Sequence, residues 1–276
     1  TKDQKDERFH QILLAKNKTG YQNLIKLTSL GYIEGLYSKY PRIDKSLIEQ
    51  YHEGLIATTC CIGAMVPQAI LHQSVEKAEK EFQWWLDLFG EDYYIEIQRH
   101  QLKDQELVNQ TLLEFARQYG VKVIATNDSH YTDREDYNAH DILLCINTGE
   151  KKSTPGYDDF VNDDVHFKDR RFKFPNDQFY FKTTAEMREL FHDLPQSIDN
   201  TNEIVDKVDV LNLMGVGTAL LSLVALVPVL VGLAAVPLLD EPLTPWLMMG
   251  LALVSAGAFV SAAPPLWRKP VPAQVS

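Results

Sequence analysis

The C-terminal part of this 276-residue sequence has almost no charge. Residues 214–276 contain only four charged side chains, which are Asp240, Glu241, Arg268 and Lys269. The formal net charge of -11 therefore comes entirely from residues 1–213. A single compact soluble domain does not divide its charge in this way, so 1–213 and 214–276 are interpreted as two separate parts.

Cysteine is also scarce. The sequence has three, Cys60, Cys61 and Cys145, and an odd number with two adjacent residues favours a reducing compartment and no disulfide framework. The first residues are charged and lack the apolar core of a signal peptide, and the missing initiator Met predicts a fragment. The acidic excess repels phosphate, so no direct nucleic-acid-binding surface is expected in this chain.

The apolar pattern of the first part alternates between strand and helix periods, which predicts the α/β class with a parallel sheet or barrel. Thr19 is predicted to cap the first helix. Strands are predicted over 10–15, 55–58, 93–98 and 121–125, and helices over 19–32, 45–51, 75–89, 104–119, 184–191 and 195–208. Residues 151–176 have no clear period and are predicted to form a long loop.

Chemistry in such folds lies at the carboxyl ends of the strands. Asp128 and His130 follow the strand that ends at 125, and an extended backbone would direct both to the same side. Their oxygen and imidazole ligands suit zinc or manganese. Cys60 and Cys61 follow the strand that ends near 57, and His10 opens the first strand.

Each of these residues also has a structural interpretation. The Asp-x-His pattern is common by chance, buried cysteine packs as a small apolar residue, and His10 fits a hydrogen-bonded core histidine. The remaining histidines have no partner at ligand spacing and are interpreted as structural: His52, His72, His100, His140, His166 and His192.

Two strings, VIATNDSHY and AHDILLCINTG, carry a resemblance that covers residues 9–213. This part resembles the PHP domain region of bacterial DNA polymerase III alpha subunits, which implies a distorted β/α barrel. The resemblance implies metal ligands at His10, Cys61, Asp128 and His130. Cys61 rather than Cys60 matches, because it directly precedes Ile62-Gly63.

The resemblance also implies a divalent zinc or manganese ion, a proofreading 3′–5′ exonuclease or a structural role, and partnership with DNA and other replicase subunits. The family's opening His-x-His motif and its further His and Glu ligands are absent upstream of Phe9, and the polymerase regions are absent downstream of Leu213. We therefore expect an incomplete barrel that holds at most one ion and is not active alone.

In the second part, apolar runs over 216–239 and 246–263 flank a polar turn at 240–245. Each approaches the roughly 20 residues that span a bilayer, which predicts a two-helix transmembrane hairpin rather than two soluble core helices. Arg268 and Lys269 predict a cytoplasmic C-terminus. Because two spans put both ends of a hairpin on the same side, the first part is predicted to be cytoplasmic too. The string EPLTPW, with the small residues after it, resembles the last two helices of EamA-type drug/metabolite transporters, although two helices alone cannot form a substrate pathway.

A third interpretation treats the join itself as an artefact. Two unrelated families meet directly after Leu213 without a linker, which would also result from an error of assembly, a fusion or sequence generation. In that case the chain would be a chimera with no function of its own.

Overall fold

The structure, a computed structural model, describes residues 8–37, 40–156 and 170–210. All helices and strands named below belong to one compact unit, Thr1–Asp209. The predicted boundary at 213/214 and the predicted spans 216–239 and 246–263 lie outside the described residues. Among the helices that the structure describes, none is both long enough and apolar enough to cross a membrane.

The described ranges form a mixed α/β fold. The strands are β1 Leu13–Ala15, β2 Leu55–Thr58, β3 Tyr93–Ile97 and β4 Val123–Ala125. The helices are α1 Lys18–Ile33, α2 Lys45–Tyr51, α3 Met65–His72, α4 Val75–Phe89, α5 Lys103–Tyr119, α6 Tyr137–Thr148, α7 Thr184–Leu190 and α8 Pro195–Lys207. The predicted strands and helices are confirmed, with bounds that shift by at most a few residues, whereas α3 and α6 were not predicted. The described parts of the predicted long loop, 151–156 and 170–176, contain neither helix nor strand.

Side-chain caps begin several of these helices. Asp44 accepts a hydrogen bond from the backbone N of Leu47 at 3.0 Å, as its position before α2 predicts. The predicted cap of α1 was wrong. Asn17 rather than Thr19 caps it, because Asn17 has an extended backbone and its Oδ1 accepts from Gly20 N at 2.9 Å, while Thr19 already lies inside the first turn.

The four strands form one sheet in the order β1-β2-β3-β4. β2, β3 and β4 are parallel, as predicted, but β1 runs antiparallel to β2, which is a correction to the all-parallel prediction. The reason is that the connection formed by α1 and α2 begins after β1 and ends before β2 at the same edge of the sheet. Lys16 N donates to Gly54 O at 2.9 Å there. Closure of this sheet into a barrel stays a prediction.

The two faces of the sheet differ in what they bury. Tyr93, Ile95 and Ile97 of β3 point into the main core, which also contains apolar side chains of α3, α4 and α5. Tyr94 lies on the other face, within a small apolar cluster that α8 covers through Ile204. Farther along the same face, toward the carboxyl ends of the strands, the buried side chains are polar.

A buried ion pair fixes the start of the described range 170–210 against α6. Arg171 donates from Nη1 and Nη2 to the two carboxylate oxygens of Asp141, at 2.6 and 3.0 Å. The two side chains are only 3% and 5% exposed. Burial opposes the ionisation of Asp141, but the hydrogen bonds and the charge of Arg171 outweigh it and hold the pKa of Asp141 below its ordinary value.

Replacing Asp141 with Asn is expected to lower the free energy of unfolding by roughly 3 kcal/mol at pH 7, because Arg171 is left buried without a counter-charge. The pKa of Asp141 is lowered on folding, so this stabilisation is complete above its ordinary value of 3.8 and is lost as the pH falls through the folded-state pKa. Urea unfolding of the wild type and of D141N at several pH values measures the difference.

The exposed pair between Arg134 and Asp177 offers the control. D177N removes a carboxylate of the same kind at the surface, where solvent screens the ion pair, and is expected to change stability far less. A loss for D141N that is no larger than for D177N, or that stays constant into acid, would contradict this account of the pair.

Candidate metal centre

The carboxyl ends of β2, β3 and β4 meet at one edge of the sheet because these strands are parallel. β2 continues there into Cys60 and Cys61, β3 into Gln98, and β4 into Thr126 and Asp128. Three loops from distant parts of the sequence are thereby brought side by side, as the carboxyl-end rule predicts.

His10 reaches the same edge because β1 is antiparallel, so the residues before β1 lie beside the residues that follow β2. The backbone N of His10 donates to Gly63 O at 3.1 Å, and His10 forms a bridge with Ala64. Its ring Nδ1 lies 3.4 Å from Sγ of Cys61, although 51 positions separate the two residues. The structure therefore brings these two predicted ligands together.

A pocket of about 310 Å³ opens at this edge. Three of the four predicted ligands line it, His10, Cys61 and Asp128. The other lining residues are Gln11, Ile12, Cys60, Glu96, Gln98 and Thr126. The volume exceeds that of several water molecules, so an ion would fit there with part of its hydration shell.

The two adjacent thiols differ in acidity. A hydrogen bond from Cys60 lowers the pKa of Cys61 to about 5 against the opposing effect of burial, and His10 and the backbone at Gly63 add to this. The lowered pKa favours the thiolate form of Cys61, which is the form that binds metals. The pKa of Cys60 is raised, because this thiol donates a hydrogen bond to Cys61 and because it is buried.

The reason given for pairing Asp128 with His130 was wrong. Asp128 has a left-handed backbone with φ of 47°, so the two residues do not alternate as in an extended strand. The ring of His130 is not part of the pocket lining. It packs instead against Phe174, with ring centroids 4.5 Å apart, and near His140 at 6.1 Å.

The donor set has the right chemistry for a divalent ion, since it combines an imidazole, a thiolate and a carboxylate. Within residues 8–37, 40–156 and 170–210, however, no group of three or more His, Cys, Asp or Glu side chains is arranged to hold a metal ion. The ligand set of His10, Cys61, Asp128 and His130 therefore stays a prediction, of which three members share a pocket.

Sequence reasoning missed Glu96, a buried carboxylate in the pocket wall that is 3% exposed. Burial raises the pKa of Glu96, against hydrogen bonds from Thr126, Thr58 and Gln98 that lower it. The strand alternation contained the necessary information. Because Ile95 and Ile97 face the core, the residue between them must face the other side of the sheet.

The interpretation of His100 as structural agrees with its environment. The ring is fully buried and stacks on Phe179, with centroids 4.1 Å apart. Its Nε2 lies 2.7 Å from Asn127 O and its Nδ1 lies 3.1 Å from Nε2 of Gln105. Both ring nitrogens are engaged by protein atoms, which leaves none for a ligand.

The contrast between the thiols leads to a test. Replacing Cys60 with Ala removes the largest cause of the lowered pKa of Cys61, so the midpoint for Cys61 alkylation should move upward from about 5. Iodoacetamide labelling across pH, read at Cys61 by peptide mass spectrometry, measures it. Cys145→Ala serves as a control because Cys145 is buried on α6, and an unchanged midpoint in C60A would refute the assignment.

Comparisons with known proteins agree with the resemblance of the first part. Residues 1–100 match the PHP domain family. The chain is 47% identical over 201 residues to DNA polymerase III subunit alpha of Borreliella burgdorferi, 43% over 205 residues to that of Thermus aquaticus, and 38% over 211 residues to that of Campylobacter jejuni. Each match covers 73% of this chain and 16% of the relative.

The chain thus spans about a sixth of the length of the curated relatives that it matches. The matched region contains the sheet, the pocket and the strings that carry the resemblance. The N-terminal 73% of this chain is homologous to the PHP region of the DNA polymerase III alpha subunit.

Proposed function

We propose that the described part of this chain serves DNA replication as the PHP region of a DNA polymerase III alpha subunit. The identity of 47% over 201 residues supports this most strongly. The partners implied are DNA and the other replicase subunits. Because the chain has a net charge of -11, we expect other parts of the replicase to provide the main grip on the DNA phosphates.

We further propose that the pocket binds one divalent ion through His10, Cys61 and Asp128, with His130 as the fourth ligand. The observation that carries this is the convergence of the first three side chains on one pocket. For His130 to join them, its ring must leave its contact with Phe174. The thiolate of Cys61 favours zinc, whereas the carboxylate of Asp128 also accommodates manganese.

A bound divalent ion would supply Lewis-acid polarisation of a phosphate oxygen, which is the chemistry of phosphodiester hydrolysis. The residues of this chain would supply the rest of the environment. Cys61 would provide the sulfur ligand, and its lowered pKa eases the loss of the proton that metal binding requires. His10 orients that sulfur through the 3.4 Å contact.

Substituting Asp128 or Cys61 with Ala is expected to weaken zinc or manganese binding at least about 10-fold, because each removes a charged ligand from a small donor set. Equilibrium dialysis of the purified chain, followed by elemental analysis of the protein compartment, measures affinity and stoichiometry.

His192→Ala is the matched control for that experiment. His192 is exposed and its Nδ1 lies 2.9 Å from Glu189 O, outside the pocket, so its loss should leave binding unchanged. Wild-type protein without bound metal, or D128A that binds as well as the wild type, would rule out the proposed ligand set.

A second proposal concerns residues 214–276. The matches to relatives cover the N-terminal 73% of the chain and give no support to the likeness to EamA-type carriers. We propose that the apolar runs 216–239 and 246–263 insert as a hairpin with both ends in the cytoplasm. The proposal is carried by their length and by the near absence of charge.

The full chain is then expected to sediment with membranes in the absence of detergent and to resist extraction by high salt. Replacing Leu230 with Arg, near the centre of the first run, should make the free energy of membrane insertion less favourable by about 3 kcal/mol. It should therefore shift the chain toward the supernatant. Leu266→Arg, outside both runs, is the control. Wild-type chain that stays in the supernatant after high-speed centrifugation would exclude the hairpin.

A further inference from the structure

The carboxylate of Glu96 lies between the two loops that carry the proposed ligands. Its Oε2 accepts a hydrogen bond from Thr58 Oγ1 at 2.6 Å, and its Oε1 accepts one from Thr126 Oγ1 at 2.5 Å. Thr58 ends β2 directly before the loop of Cys60 and Cys61, and Thr126 follows β4 directly before the loop of Asp128. One side chain therefore joins the carboxyl ends of three strands.

The contact with Thr58 extends into the cysteine loop. Thr58 Oγ1 accepts a hydrogen bond from the backbone N of Cys60 at 3.0 Å while it donates to Glu96. Cys60 has a left-handed backbone with φ of 59°, a conformation that a residue with a side chain adopts only when its surroundings hold it. The chain of hydrogen bonds from Glu96 thus reaches the turn that orients Cys61.

The backbone of Glu96 is tied to the same loop. Its N donates to Thr59 Oγ1 at 2.9 Å, and Thr59 Oγ1 in turn lies 3.2 Å from Glu96 O. These bonds add to the backbone hydrogen bond that Thr59 N donates to Tyr94 O at 3.0 Å, just after β2 ends. The cysteine loop is therefore attached to β3 through both its threonines.

Gln98 completes the arrangement on the side of β4. Its Nε2 donates to Oε1 of Glu96 at 3.0 Å and lies 3.1 Å from Thr126 Oγ1. Its own carbonyl accepts from Nδ2 of Asn109 on α5 at 2.7 Å. We call these residues the Glu96 network: Thr58, Thr59, Glu96, Gln98 and Thr126.

Two simpler roles for Glu96 fit less well. A role as a metal ligand would compete with the three donors that already occupy its two oxygens. A role in packing alone does not require a carboxylate, because burying one is costly and an apolar side chain would fill the same space. What a carboxylate provides here is two acceptor oxygens that bind two loops at once.

We propose that Glu96 is a positioning residue, which sets the separation between the loop of Cys61 and the loop of Asp128 and so controls the affinity of the pocket for a divalent cation. The inference rests on the proposed metal-binding function of this pocket. The geometry that carries it belongs to the protein alone and does not depend on which cation binds.

The test compares three variants of the full chain in Mn²⁺ titrations followed by calorimetry. E96A removes both acceptors and should weaken Mn²⁺ binding at least about 10-fold, the usual size of an effect transmitted through ligand orientation. E96Q should lie between E96A and the wild type, because its amide oxygen serves one threonine while its amide nitrogen cannot accept from the other.

Y94F is the matched control. Tyr94 lies two residues away on the same face of β3, is equally buried, and donates to Oε1 of Glu203 at 2.7 Å, away from the pocket. Y94F should lower stability in urea while it leaves Mn²⁺ affinity at the wild-type value. This separates positioning from a general loss of stability.

A second measurement needs no metal. In the metal-free chain, E96A should change the rate at which iodoacetamide labels Cys61, because Thr58 loses its hydrogen bond to Glu96 and no longer holds the turn at Cys60 in place. Y94F should leave this rate unchanged. If the wild type binds no Mn²⁺, the proposed metal function fails and the labelling rate alone decides the role of Glu96.

The proposal is overturned if E96A and E96Q keep the wild-type affinity and labelling rate. It is also overturned if Y94F changes the Mn²⁺ affinity and the labelling rate as much as E96A does. Should E96A fail to fold, as judged by circular dichroism, the comparison of E96Q with Y94F decides between the same two outcomes.

Discussion

The pairing of β1 with β2 in opposite directions is the constraint on which the composition of the pocket depends. Parallel strands bring only the residues that follow them to a shared edge, and here they supply Cys61, Gln98 and Asp128. An antiparallel strand also brings the residues that precede it to this edge, and His10 lies there for that reason. With β1 reversed, His10 would lie at the far end of a three-residue strand, roughly 10 Å away.

Three acidic side chains, Cys61, Glu96 and Asp128, lie together at this edge of the sheet. The charge of Asp128 raises the pKa of Cys61, and that of Cys61 raises the pKa of Glu96, so the acidic groups repel one another. The hydrogen bond from Cys60 to Cys61, and those from the threonines and Gln98 to Glu96, lower the two pKa values and so act in the opposite direction. A cation in the pocket would relieve this repulsion, which gives a physical reason for metal binding that is independent of the relatives.

Periodicity and turn chemistry predicted most of the fold. Long periodic helices such as α4 and α5 have clear caps or glycine ends, and β3 has an unmistakable alternation. The sequence pattern did not predict α3, because this helix is short, contains Pro67 and has no side-chain cap. The direction of β1 could not be predicted, since three residues carry no information about which way they pair.

The candidate site was predicted less completely. The carboxyl-end rule located the right loops, but it assumed an extended backbone where Asp128 is left-handed. Local strain of this kind depends on tertiary contacts that a sequence pattern does not contain. Glu96 was overlooked for a different reason, namely that a carboxylate within an apolar strand carries no motif, and only its position on the second face gives it a role.

The reversed strand β1 also has a consequence for the order of folding. Contact between His10 and Cys61 closes a loop of 51 residues, and Asp128 must be brought to the same place from beyond β3 and α5. Loop-closure entropy makes such non-local contacts slow to form, whereas the backbone hydrogen bonds within α4 and α5 are local. Because Asp128 follows β4, the pocket is complete only after β4 has joined the sheet.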